Sequence, residues 1–182
     1  MKKNIFLIAV CALLVSLSSS CKEDELTYTG SAVIEFSPYK SQTINVQEFD
    51  DGHFISEFDA ETRDSIMVSL VAPHFSKDIT CKFEVLDVFY YIFETGKIVT
   101  ELPDGITEGE YDEYETTAVE GEDFNFVTDR EFTIPANSSF GFIDIETSNT
   151  TGDGLELLLM LVPSNDIGVS ENYKYYRLEI DN

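Results

Sequence analysis

From Ala32 onward the chain alternates. Ala32, Ile34 and Phe36 share one face of an extended segment, as do Ile66, Val68, Leu70 and Ala72, and then Ile79, Cys81, Phe83 and Val85. Spacing with a period of two places one side of a strand against a core and the other in water. The rhythm continues through Phe132 and Ile134 before Pro135, through Gly141, Ile143 and Ile145 against Asp144 and Glu146, and through Tyr176, Leu178 and Ile180 against Arg177, Glu179 and Asp181. Past the N-terminal segment, no stretch keeps apolar residues at helical spacing for three turns. The pattern predicts an all-β chain of about seven to nine strands, folded as a two-layer antiparallel β-sandwich.

Three stretches depart from the alternation. Leu155 to Val162 is apolar on both faces, as a central strand covered on each side would be; a short buried helix is the other reading that periodicity leaves open. Glu101 to Glu115 is dense in carboxylates, glycine and turn formers and reads as a long exposed loop. With the Phe89–Phe93 strand that leads into it, it predicts a protruding hairpin. The third stretch is Ile5 to Leu17, an apolar run preceded by Lys2 and Lys3 and followed by Ser18, Ser19 and Ser20.

That N-terminal segment has the layout of an export signal: basic, then apolar, then small. Its core is shorter than the roughly 20 residues needed to span a bilayer. Leu17-Ser18-Ser19-Ser20-Cys21 resembles a bacterial lipobox, with the thiol at the first position after cleavage. The resemblance implies that Cys21 is acylated and that its chains anchor the protein stably, since one chain gives only marginal binding and two or more suffice. Lys22, Glu23, Asp24 and Glu25 resemble the surface-export signal of Bacteroidota lipoproteins, which implies an outer-membrane location facing the cell exterior. The expected organisation is a signal peptide over residues 1–20, an acylated tether over 21–30 and a single β-sandwich domain over 31–182.

Removing the first 20 residues of 182 leaves a length that suits one domain. Fourteen Phe and nine Tyr are ample material for its core. The net charge of −24 becomes −26 once Lys2 and Lys3 are lost. Such a field repels phosphate backbones and excludes nucleic acid as a partner, while an acidic coat keeps a surface protein dispersed. Cys11 leaves with the signal and Cys21 is acylated, so Cys81 stands alone on the apolar side of its strand as an inert core thiol.

Thr117-Ala118, Glu120-Gly121-Glu122-Asp123-Phe124, Phe132-Thr133-Ile134-Pro135-Ala136 and Ile143-Asp144-Ile145 resemble a pattern, T-A-x-x-G-x-D-[YF], then f-x-I-P-A-G, then i-x-I. Calx-beta domains and the Calx-beta-like domains of Bacteroidota lipoproteins share it. The match covers about a third of the chain, and it implies an Ig-like sandwich. Members that hold calcium use an acid-rich run after the i-x-I strand, where this chain has Thr147 to Leu155 with Asp153 as its one acid.

The usual signatures of catalysis are missing. The chain has two histidines, His53 and His74, both read as surface residues, and no G-x-S-x-G, H-E-x-x-H or phosphate-binding glycine loop. With 35 acids some carboxylate pair always exists, so pairing carries no information. No enzyme activity and no cofactor are expected. Calcium is the one cation whose oxygen ligands this composition supplies, from the 101–115 loop, from Glu48 to Gly52, or from Asp153-Gly154; none fits D-x-[DN]-x-[DN]-G. A glycan binder presents aromatic faces, and without tryptophan that part falls to tyrosine, with Tyr111 and Tyr114 as the candidate platform. Asp64-Ser65-Ile66 resembles a bacterial O-glycosylation acceptor. The expected function is a non-enzymatic lipid-anchored module for binding or adhesion, with a surface glycan or an outer-membrane protein as ligand. The alternative is a structural or accessory subunit of an outer-membrane complex.

Overall fold

The computed structural model of the chain describes residues 30–37, 48–50, 53–149, 154–164 and 167–181. Among them are fourteen strands in three sheets. A five-stranded sheet runs in the order β13 (Gly168–Val169), β1 (Val33–Phe36), β4 (Arg63–Val71), β11 (Phe140–Thr147), β9 (Phe124–Phe126). A six-stranded sheet runs β10 (Glu131–Ile134), β5 (Ile79–Leu86), β12 (Leu155–Val162), β14 (Tyr175–Asp181), β3 (His53–Asp59), β2 (Glu48–Asp50). A three-stranded sheet runs β7 (Lys97–Val99), β6 (Val88–Ile92), β8 (Tyr111–Glu115). Residues 1–29, with the export signal, Cys21 and Lys22, Glu23, Asp24 and Glu25, lie outside the described residues.

The two larger sheets face each other across one core, as the alternation predicts. Ile34, Phe36, Ile66, Val68, Ile143 and Ile145 enter it from one sheet; Phe58, Phe83, Leu157, Leu159, Tyr176 and Leu178 enter it from the other. The chain is an all-β sandwich. Strands outnumber the seven to nine expected because short edge pieces such as β2, β9 and β13 lack the length to show a period, and because a third sheet was not foreseen. The pairing is also not wholly antiparallel: β1 runs parallel to β13, and β3 parallel to β14.

Cys81 is fully buried, and that burial pushes its thiol up to about 11, which leaves it protonated and unreactive. The motif residues resolve into local hydrogen bonding. Asp123 closes a turn by accepting from the Val119 N–H at 2.8 Å, Gly121 supplies the left-handed φ of 87° that the turn needs, and Phe124 drops into the core. Where the family pattern has glycine after I-P-A, Asn137 takes φ 60°, a conformation asparagine tolerates.

At Gly141 the two sheets approach closely. A Cβ there would meet Ile134 Cγ1 at 2.8 Å and the Thr133 carbonyl oxygen at 2.9 Å, so β11 and β10 touch where any side chain would wedge them apart. Gly141→Ala is expected to lower stability by about 1–3 kcal/mol through overpacking. The check is a lower urea midpoint at unchanged slope; an unmoved midpoint would show that the two strands part freely.

Candidate functional site

The excursion from Asp87 to Thr116 leaves and rejoins the sandwich at one point, where the Thr116 N–H donates to the Asp87 carbonyl at 2.9 Å. Between those residues the chain builds the three-stranded sheet. This sheet does not protrude: it folds back over the outer face of the six-stranded sheet. Phe89, Ile98 and Tyr114 pack there on Leu158, Met160 and Tyr175. β12 is thereby covered on both sides, with Leu157, Leu159 and Leu161 in the main core and Leu158 beneath the third sheet.

Two threonines stitch the return. The Thr116 hydroxyl donates to the Leu86 carbonyl at 2.6 Å and accepts from the Leu158 N–H at 3.0 Å, so it bridges β5 and β12 where Leu86 and Leu158 face each other. The Thr117 hydroxyl accepts from the Glu156 N–H at 2.8 Å, and the N–H groups of Thr117 and Ala118 both donate to the Glu156 carbonyl, at 2.9 and 3.0 Å. The Arg177 guanidinium then sits 5.1 Å from the Tyr114 ring while bonding Glu156 at 2.5 Å, both partners being about four-fifths buried.

His53 belongs to this seam and not to the surface, contrary to expectation. It is 1% exposed, with its ring centred 5.1 Å from Phe89 and 4.9 Å from Tyr114. Nothing in the sequence around it marks that burial, because its cover comes from Phe89 and Tyr114, 36 and 61 positions further along the chain. His74 is exposed as expected, with Nε2 2.6 Å from the Ser139 hydroxyl.

The pair Tyr111 and Tyr114 does not form one platform. Both lie on β8 rather than in a loop, and an offset of three on a strand sends side chains to opposite faces. Tyr114 is half-buried in the seam against His53 and Phe89. Tyr111 points away from the sandwich and meets Tyr90 of β6 edge to face, centroids 5.5 Å apart at 84°. Tyr90 stands opposite Glu113 in the ladder and its phenol donates to that carboxylate. Partial desolvation and the charges of Glu113 and Glu115 raise the Tyr90 pKa, so the phenol stays a donor at neutral pH. Tyr175 is buried and Tyr173 half-buried. The outward face of the third sheet therefore presents two half-open tyrosine rings beside two carboxylates.

Of the expected 101–115 loop, the part before Tyr111 is a loop, pinned by Glu110, whose Oε2 accepts from both the N–H and the hydroxyl of Thr107 at 2.7 Å. Those two bonds lower the Glu110 pKa. The side chains of Glu48 and Asp50, and the residues Asp51, Gly52 and Asp153, lie outside the described residues. Gly154 donates from its N–H to Asp181 Oδ1 at 3.0 Å. Among the described residues no group of three or more His, Cys, Asp or Glu is placed to hold a metal ion. Ser65, in the O-glycosylation-like triplet, lies mid-strand on β4 with its hydroxyl donating to Asp144 at 2.6 Å.

No protein-family model matches the chain, and no curated protein matches it. Among solved structures, the crystal structure of CBD12 from CALX1.2, a Calx-beta protein, is similar at a TM-score of 0.44 and 14% identity, covering 81% of this chain and 44% of that one. The chain thus spans less than half the length of that relative.

At the far end of the six-stranded sheet's outer face, carboxylates line up across β3 and β14, with Glu57 opposite Glu179 and Asp59 opposite Asp181. A hydrogen bond with Asp181 and the charges around it raise the Glu57 pKa. The folded state thus binds that proton more tightly than the unfolded chain, and its stabilising share is lost as pH rises through the folded pKa. Glu57→Gln is expected to raise the melting temperature at pH 7, with the gain shrinking as the pH approaches 4. A gain that stays constant with pH would show that the ladder does not repel.

Proposed function

We propose that the chain is a non-enzymatic outer-membrane lipoprotein, held through an acylated Cys21 and facing the cell exterior, that captures a polyhydroxylated ligand such as a surface glycan on the outward face of its third sheet. The observation that supports this reading is the Tyr90–Tyr111 pair beside Glu113 and Glu115. Ring faces stack against the C–H side of a sugar, and carboxylates accept from its hydroxyls. The rings are held by a sheet locked to the sandwich through Tyr114, Arg177 and Thr116, so little order is lost on binding. The chain's acidity makes the ligand neutral or cationic rather than phosphorylated.

A glycan array probed with the detergent-solubilised lipoprotein tests the ligand. Tyr90→Ala and Tyr111→Ala should each reduce binding at least tenfold while leaving the melting temperature within a degree or two. Tyr114→Ala should instead lower the melting temperature, because it opens the seam over Leu158. Wild-type binding by both outward variants would place the ligand elsewhere.

Anchoring is tested separately by radiolabelled palmitate. Label should enter the wild-type product and vanish in Cys21→Ala, which should shift from the envelope to the soluble fraction.

A second reading, an accessory subunit of an outer-membrane complex, is favoured by one observation on the opposite face of the molecule: Phe140 and Phe142 of β11 are 40% and 46% exposed.

A further inference from the structure

The outer face of the five-stranded sheet carries apolar side chains that the sandwich itself does not bury. Gly141 and Ile143 of β11 point inward, and Phe140 and Phe142 alternate with them on the outer side. The register sets Phe140 across from Ser69 and Phe142 across from Met67 on the central strand β4. Val127, 42% exposed, is a further bare apolar residue just past the end of β9, where its N–H donates to the Asp144 carbonyl at 3.0 Å. Contiguous exposed apolar surface of this kind marks an interaction site more often than chance.

Ser69 lies between the inward residues Val68 and Leu70, so its hydroxyl faces the phenylalanines; the residue is 8% exposed and its Oγ has no hydrogen-bond partner. Native folds leave few buried polar groups unsatisfied without a reason. Its oxygen is closed to solvent, so it is a cost carried inside the fold and not a contact offered to a partner.

The charges around the patch say what kind of surface fits it. Glu35 stands across from Ser69 on the β1 side, while Asp144 and Glu146 lie further along β11; one guanidinium, Arg63, serves both of the latter at 3.4 Å. Among the described residues these three carboxylates against one cation leave the rim negative, on a chain with 35 acids and 11 bases. A second copy would bring a like-charged rim against this one, and an anionic lipid surface would be repelled in the same way. We propose that this face docks a partner protein whose contact surface is apolar at its centre and ringed by Lys and Arg. The inference rests on the accessory-subunit reading and uses none of the glycan face.

The full-length lipoprotein in the cells that produce it is the material for the test, with a photo-crosslinking phenylalanine analogue in place of Phe142. The expected result is one adduct with a second protein, whose crosslinked peptide is apolar and flanked by Lys or Arg. Changing those cations to Glu should cut the adduct at least tenfold, as should Phe140→Ser in the lipoprotein. Resistance of Cys81 to alkylation certifies that each variant is folded. An adduct of twice the chain's mass, an adduct with lipid alone, or a partner peptide without cations overturns the proposal. A lipoprotein that sediments with a large membrane complex yet gives no adduct from Phe142 overturns this face and leaves the accessory reading standing; one that sediments alone and gives no adduct overturns both.

Discussion

Burial of β12 on both faces is the constraint from which the rest of the architecture follows. A strand reading Leu155-Glu156-Leu157-Leu158-Leu159-Met160-Leu161-Val162 has no side it can offer to water. The inward residues take the main core. Leu158 and Met160 need a second cover, and each apolar side chain left bare would forfeit about 1.5–3 kcal/mol of burial. The chain supplies that cover from its own sequence by sending the Asp87–Thr116 excursion back over the sheet. The aromatic seam of His53, Phe89, Tyr114 and Tyr175 and the Arg177–Glu156 pair exist because that layer must stay closed.

The same closure sorts the tyrosines into structural and available ones. Strand geometry puts Tyr114 beneath the third sheet and Tyr111 on top of it, so the element that seals the core also exhibits the ring pair proposed to meet a ligand. The molecule thus has two outward-facing surfaces of different character: tyrosines and carboxylates on the third sheet, phenylalanines around a buried hydroxyl on the five-stranded sheet. One suits hydroxylated ligands, the other a protein. They lie on opposite outer layers, so occupation of one leaves the other open.

How much of this was legible in the sequence depended on the range of the interaction. Alternation exposed the core strands because a strand's two faces are written in consecutive residues, and Ile66, Val68, Cys81, Phe83, Ile143 and Ile145 all point as the period predicts. The double-sided apolar run of β12 was readable for the same reason. What covers it was not, since Glu101 to Glu115 has the composition of a loop, and its last five residues become a strand only because β6 offers a partner and Leu158 a surface. The burial of His53, the pairing of Tyr111 with Tyr90, and the bridging hydroxyls of Thr116 and Thr117 are long-range outcomes; only the Thr116-Thr117 doublet, two β-branched residues with hydroxyls at the end of an acidic strand, offered a local hint. The expected lipobox and the acidic signal after it lie outside the described residues, and there the sequence speaks alone.

The meeting of Thr116 with Asp87 at a single backbone hydrogen bond means that the third sheet is attached like a bracket, by two strands of chain entering one slot. Among the described residues no other strand of the sandwich threads through it. A descendant sequence is free to exchange that bracket for another of different length and different outer decoration, provided the replacement lays something oily over Leu158 and Met160. Recognition is thereby able to diverge while the scaffold beneath remains unaltered.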